Sequence, residues 1–273
     1  MGYININGRI SAAEKSGMQV DNGAFRYGYG LFETMLVQNG VIMFAQYHTD
    51  RLFEGMEQLY FNIPSLLTSA RLMEQVMLTV QKNELEGLCR VRLEVYAGQG
   101  GMYGSDIAKP GYLIECFPLN EEATMFNENG LQVGIVNGLA KSADALANMK
   151  TCSALIYAMA AQQARQRKWN DALISNTKGN IIESTIANIF WVKGGTIYTP
   201  PLSEGCVAGV MRRHIMSQIS VEEQPLTTEE LSLADEVFLT NAIKRIKWIG
   251  AIGDKRYLPM TAQSLSRKLF DVK

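Results

Sequence analysis

Lys150 stands in the run Asn148-Met149-Lys150-Thr151-Cys152-Ser153-Ala154-Leu155, just ahead of an apolar helical pattern over residues 155–164. A lysine there is either a solvated end residue or an amine kept for chemistry. Desolvation lowers a lysine pKa and frees the lone pair that attacks a carbonyl. Arg51 falls early in a predicted helix, after His48 and Asp50. It either pairs with Glu54 or Asp50, or uses its planar fork to clamp a phosphate.

Glu183 lies between the turn Lys178-Gly179-Asn180 and a predicted strand over residues 186–192. It is either a turn-flanking surface carboxylate or an anion that keeps the ring nitrogen of a pyridine cofactor protonated. Gly209, Val210 and Met211 open a predicted helix, and helix N-terminal amides bind phosphate, a property shared by every helix start. Arg212 and Arg213 read as solvated or ion-paired. The glycine-rich run at 98–104 is not a nucleotide fingerprint, because Pro110 and a further strand follow it where a helix is required. It reads as a loop over a cleft, suited to a substrate lid.

These residues need elements to hold them. Residues 3–10 alternate as a strand. Residues 31–37 and 41–44, joined by Gln38-Asn39-Gly40, read as a β-hairpin, since Asn-Gly accepts the positive φ of a tight turn. Residues 50–60 carry Leu52, Phe53, Met56, Leu59 and Tyr60 at helical spacing, and residues 65–82 form a second predicted helix after Pro64. Strands follow at 88–96 and 112–117. The polar stretch 118–130 predicts a domain link. Beyond it come a strand at 131–136, a helix at about 153–168, and strands at 171–175, 186–192 and 196–199. Helices at 207–219 and 229–233 and a strand at 236–240 complete the pattern. Strands and helices mix without strict alternation, which predicts an α+β fold.

The chain has 273 residues, 47% hydrophobic and 19% charged, and a net charge of -1. That length suits one large or two smaller domains. The lack of a basic stripe argues against nucleic acid. No apolar run reaches the roughly 20 residues of a membrane span, and the N-terminus reads as strand, so a cytoplasmic protein away from membranes is expected. The four cysteines contain no Cys-x-x-Cys pair, and the two histidines have no ligand spacing. Reduced thiols and no metal site are expected.

Five ordered segments resemble the class IV aminotransferases, the fold-type IV enzymes of pyridoxal 5'-phosphate (PLP). They are residues 26–34 (Arg26-Tyr27-Gly28-Tyr29-Gly30-Leu31-Phe32-Glu33-Thr34), 48–52 (His48-Thr49-Asp50-Arg51-Leu52), Lys150 with its helix, 183–190 (Glu183-Ser184-Thr185-Ile186-Ala187-Asn188-Ile189-Phe190) and 205–213. Tyr198-Thr199-Pro200-Pro201 also fits, and the set runs from about residue 21 to residue 243. The resemblance implies two α/β domains, like those of D-amino-acid aminotransferase, with the cofactor between them. The small N-terminal domain would be residues 1–120 and the larger PLP-binding domain 121–273.

The resemblance further implies Lys150 as the Schiff-base lysine and proton shuttle, and Arg51 on the PLP phosphate. Glu183 would meet the pyridine nitrogen. Val210 and Met211, with the Asn241-Ala242 turn, would complete the phosphate cup. Phe32 falls near the substrate, and a homodimer completes the site. Two departures stand out. Gly28-Tyr29-Gly30 replaces a common Gly-Asp-Gly, and the loop at 97–103 carries Ala97 and Met102 where carboxylate-binding members carry arginines. Arg26, Arg90 and Arg92 are the candidates to bind a substrate carboxylate instead. The chemistry implied is transamination of an amino acid. The alternatives are 4-amino-4-deoxychorismate lyase, which releases pyruvate and 4-aminobenzoate for folate biosynthesis, and a PLP-binding paralogue without turnover.

Overall fold

The computed structural model describes residues 2–18, 21–98 and 109–270. The chain divides into two compact units, one of residues 1–123 with 149–153, the other of 124–148 with 154–273. The expected division after residue 120 took everything beyond it as one uninterrupted stretch. Instead the five residues around Lys150 belong with the first unit.

Among its described residues the first unit holds a six-stranded sheet, antiparallel throughout, in which its strands, counted along the chain, lie side by side in the order second, first, sixth, fifth, third, fourth. In chain order its strands are β1 (Tyr3–Ile6), β2 (Arg9–Ala12), β3 (Gly30–Gln38), β4 (Val41–Ile42), β5 (Leu88–Ala97) and β6 (Pro110–Pro118). Its helices are α1 (Gly23–Tyr27), α2 (Ala45–Gln58) and α3 (Ser69–Lys82). The β3–β4 turn places Asn39 and Gly40 at φ 51° and 74°, the conformation their residue types favour. Strand alternation sends Met35 and Val37 of β3, and Val91, Leu93 and Val95 of β5, to one face. Leu52 and Met56 of α2 and Leu72, Val76 and Val80 of α3 join them in one core. Phe32, Thr34, Arg92 and Glu94 occupy the opposite, half-exposed face.

The helix expected from residue 50 starts at Ala45, because Phe44 in a left-handed conformation turns the chain into it. The helix expected from residue 65 starts at Ser69, where the Thr68 side chain accepts from the Arg71 amide and caps it.

Among its described residues the second unit holds nine strands and four α-helices. Its first elements are β7 (Leu131–Lys141), α4 (Leu155–Gln166), β8 (Asp171–Asn176), β9 (Ile181–Ser184), β10 (Asn188–Lys193) and β11 (Thr196–Thr199). Next come α5 (Val210–Gln218), β12 (Glu222–Glu223), α6 (Thr228–Leu233), β13 (Glu236–Asn241), β14 (Arg245–Ile252), β15 (Lys255–Arg256) and α7 (Met260–Phe270). The sheet order is β12-β11-β10-β13-β14-β7-β8-β9, with β15 on β14, and β9 also pairs β10 through Asn188 and Glu183. That last pairing closes a circuit of six strands. Leu173, Ile189, Trp191, Leu239 and Ile249 form its core. Alanines 160 and 164 let α4 pack closely on Val136, Ala172 and Ile174. The buried Glu236 carboxylate accepts from the amides of Thr261 and Ala262 and caps α7.

Among the described residues, no helix is long and apolar enough to cross a membrane.

Candidate active site

The amine of Lys150 is positioned by backbone pairing, not by a helix mouth. The Phe32 amide donates to the Lys150 carbonyl at 2.9 Å, and the Cys152 amide donates to the Gly30 carbonyl at 2.8 Å. Leu31 and Thr151 pair as an isolated antiparallel bridge. Residues 149–153 are thus an extra strand-like arm on the end of β3. The glycines of Gly28-Tyr29-Gly30 make room for it. A Cβ on Gly28, which also has φ of 66°, would meet the Ser153 backbone at 3.0 Å, and one on Gly30 would meet the Cys152 sulfur at 3.0 Å. The arm leaves the Lys150 Nζ 4.4 Å from the centre of the Phe32 ring.

Phe32 carries a second cation. The Arg92 guanidinium carbon lies 3.9 Å from the same ring centre, and Arg92 Nη2 donates to Glu94 Oε2 at 2.6 Å. Of the predicted site residues in this unit, Lys150, Phe32 and Arg92 therefore come together. Arg90 instead lies over Phe117 at 4.4 Å. Arg26 is exposed in the last turn of α1. Met102, and all but the first residue of the glycine-rich run, lie outside the described residues.

Arg51 sits in the middle of α2, and Glu33 holds it across 18 residues of sequence. Arg51 Nε donates to Glu33 Oε1 at 2.8 Å and Nη2 to Oε2 at 2.5 Å. His48, one turn earlier, places Nδ1 2.6 Å from Glu33 Oε2. Burial drives the Glu33 carboxyl upward, but the Arg51 charge and the His48 bond outweigh it and lower its pKa to about 2. The anion fixes the guanidinium fork in one orientation. Residue-type reasoning passed over Glu33, although a carboxylate among Leu31, Phe32, Thr34 and Met35 is the visible signal.

In the second unit, Glu183 is not a surface turn residue. It lies in β9, whose four residues are all buried, and itself is 3% exposed. Its Oε1 accepts from Lys141 Nζ and from the Tyr157 hydroxyl, both at 2.7 Å, and its Oε2 accepts from the Val207 amide at 2.9 Å. Burial raises the Tyr157 phenol strongly, and the neighbouring Glu183 charge adds to that, so Tyr157 remains a donor. Lys141 also donates to the Ala147 carbonyl at 2.9 Å. Three of about four lone-pair directions on the carboxylate are occupied, which leaves Oε2 one direction for a further donor. Sequence reasoning missed Lys141 and Tyr157, which are 42 and 26 residues from Glu183 and carry no local signal.

The third group surrounds the start of α5. Gly209 is its N-cap and offers no side-chain cap, so the amides of its first turn, including buried Val210 and Met211, receive none. A Cβ on Gly209 would meet Asn188 Oδ1 at 1.8 Å. Asn188 in turn donates to the Val207 carbonyl at 2.9 Å. Thr240, directly opposite Asn188 in the β10–β13 register, is 1% exposed, and its hydroxyl has no hydrogen-bond partner. Directly opposite residues share a sheet face, so this orphaned hydroxyl lies on the same face as Asn188, whose Oδ1 borders Gly209. Asn241 Oδ1 accepts from the amides of Ile243 and Lys244 and shapes the turn that holds buried Ala242. A dianionic phosphate satisfies uncapped amides and a spare hydroxyl together. A protonated pyridine satisfies the last direction on Glu183. The donor set therefore fits PLP. Arg212, read as solvated or ion-paired, is buried, ion-paired to Glu223 and bonded to the Pro200 carbonyl at 3.1 Å.

The family model for amino-transferases of class IV matches residues 30–251, most of the chain. The chain belongs to the class IV aminotransferases. They are PLP enzymes, and this member is an enzyme of that family. A putative branched-chain-amino-acid aminotransferase of Methanocaldococcus jannaschii is 27% identical over 99% of this chain and 96% of its own length. An aminodeoxychorismate lyase of Vibrio harveyi is 25% identical over 89% of this chain and 90% of its own. The solved branched-chain aminotransferase of Thermoproteus uzoniensis with norvaline is 24% identical, covers 98% of this chain and 93% of its own, and superposes with a TM-score of 0.88. That likeness shows the shared fold, with the α+β, two-domain architecture expected from the sequence.

Proposed function

We propose that this chain is a PLP-dependent aminotransferase acting on an amino acid, in which Lys150 bonds the cofactor and moves the substrate proton. One observation carries the reading. The lysine expected to do this work is held by main-chain hydrogen bonds to β3, with its amine against the ring of Phe32. An amine placed by backbone can move between two atoms without losing its position.

When bound, PLP supplies an electron sink for the pair left behind when the α-proton departs. Glu183, oriented by Lys141, Tyr157 and the Val207 amide, would accept from the ring nitrogen. Arg51, held in one orientation by Glu33, would lie on the phosphate. In the second unit, the first-turn amides at Val210 and Met211, with Thr240, Asn241 and Ala242, would hold a phosphate. Lys150 takes the α-proton on Nζ and returns it. Phe32 and Arg92 line the substrate side. A homodimer belongs to this reading, and size-exclusion chromatography of the holoprotein tests it.

A second reading, 4-amino-4-deoxychorismate lyase, is favoured by the similarity to the Vibrio harveyi lyase. Visible absorption of the PLP-loaded protein tests both. Transamination predicts that the cofactor band bleaches with an amino-acid donor and returns with a 2-oxo acid. The lyase predicts a persisting band while aminodeoxychorismate yields pyruvate and 4-aminobenzoate. No cofactor band after PLP is added would reject both.

A further inference from the structure

Arg92 is the cation nearest the Phe32 ring, yet Glu94 already occupies it. In the β3–β5 register Phe32 faces Glu94 and Thr34 faces Arg92, so all four share the half-exposed face of the first sheet. The Arg92 plane lies over Phe32 at 3.9 Å, and one edge donates to Glu94 at 2.6 Å. The side chains are 31% and 19% exposed, so the pair is part-buried but reachable by a ligand. One positive and one negative charge leave it neutral. Glu94 is tied from another side as well. The Cys152 thiol, two residues beyond Lys150, donates to it, and burial, followed by the Glu94 charge, raises that thiol.

We propose that Glu94 determines specificity: by occupying the Arg92 guanidinium beside Phe32, it restricts the enzyme to substrates whose distal group is uncharged and turns dicarboxylates away. This rests on the reading of Lys150 as the working amine, since Phe32 links that amine to the Arg92–Glu94 pair. A substrate with a second carboxylate reaching Arg92 meets the Glu94 charge and must displace an existing charge-assisted bond. An apolar side chain meets the Phe32 ring and a pair that asks for nothing. Substituting Glu94 by glutamine keeps the shape and removes the charge, so Arg92 becomes available as a carboxylate clamp. The gain expected from one such charge-assisted bond is roughly tenfold to a hundredfold in relative affinity.

The test uses the PLP-loaded protein and two unreactive acids, glutarate and 4-methylvalerate, with dissociation constants measured by calorimetry. Wild type is expected to prefer 4-methylvalerate. Glu94→Gln is expected to shift the ratio towards glutarate by about tenfold or more, and Arg92→Gln combined with Glu94→Gln to lose that gain. Glu94→Asp, which keeps the charge, is expected to stay close to wild type. An equal ratio in wild type and Glu94→Gln overturns the proposal. So does a gain that survives loss of Arg92, or a wild type that binds neither acid. Turnover of neutral amino acids by wild type is scored separately. The predicted binding shift without any transamination would reject the aminotransferase reading and leave Glu94 as the discriminator.

Discussion

The Phe32 amide donates to the Lys150 carbonyl at 2.9 Å, while the Lys150 amine lies 4.4 Å from the centre of the Phe32 ring. One residue thus fixes the lysine main chain by its backbone and supports the lysine head by its side chain. Phe32→Leu keeps the first interaction and removes the second. Cation–π contacts contribute about 0.5–2 kcal/mol. The variant is expected to lose roughly threefold to thirtyfold in kcat/KM, with the fold intact by circular dichroism. Unchanged kinetics would assign the ring to packing alone.

Glu33 couples the sheet to Arg51 and His48. Glu33→Gln leaves Arg51 without its buried counter-charge, and breaking such a pair costs about 3–5 kcal/mol. The pH dependence follows from the lowered carboxyl. A group whose folded pKa lies below its unfolded value stabilises the protein above the unfolded value and loses that contribution as pH falls through the folded one. For Glu33 the window runs from 4.5 down to about 2. At about 1.4 kcal/mol per unit the contribution is on the order of 3 kcal/mol. Denaturant midpoints at pH 7 and pH 3 check it: the gap between wild type and variant is expected to narrow at the lower pH. A gap independent of pH would contradict the assignment.

Three donors hold the Glu183 carboxyl in place. Removing the Tyr157 hydroxyl by Tyr157→Phe leaves the carboxylate with Lys141 and the Val207 amide. Loss of a bond to a charged group costs about 1–3 kcal/mol. PLP affinity, read by titration of the visible band, is expected to fall roughly fivefold to a hundredfold. Lys141→Met removes the cation and is expected to lower thermal stability as well. Wild-type affinity in both variants would remove Glu183 from the cofactor's surroundings.

Gly209 has no room for a side chain. In Gly209→Ala the new methyl group falls on Asn188 Oδ1, whose amide holds the Val207 carbonyl. Asn188 must turn away, and the start of α5 shifts with it. Overpacking of this kind costs about 1–3 kcal/mol. The expected result is a lower melting temperature and weaker PLP binding together, by thermal shift with and without cofactor. Weaker stability with unchanged PLP binding would detach this helix start from the phosphate.

Much of the frame was legible in residue pattern, because alternation in β3 and the stripe through Leu52 and Met56 are local signals. The departures come from long-range pairing. Lys150 was read as a helix mouth because the apolar run after it dominates the local pattern, whereas its partner is Phe32, well over a hundred residues earlier in the sequence. Strand β9 has only four residues, Ile181–Ser184, too short to separate from a turn, so residue pattern alone leaves Glu183 between a surface carboxylate and a cofactor partner. Strand β14 and helix α7 went unread. The β14 residues interleave Lys247 and Trp248 with apolar positions, and the start of α7 is set by the Glu236 carboxylate from another strand. The resemblance supplied roles that no spacing carried. It did not supply Glu33, Lys141, Tyr157 or Glu94, each of which acts through a partner visible only in three dimensions.

The most direct measurement of the central claim is borohydride reduction of the PLP-loaded protein, followed by peptide mass spectrometry. Two lysines compete as the attachment point. Lys141 is committed to Glu183 at 2.7 Å, and Lys150 lies on the β3 arm. The account predicts the phosphopyridoxyl mass on Lys150 and none on Lys141. The label on Lys141, or spread over surface lysines, would contradict it.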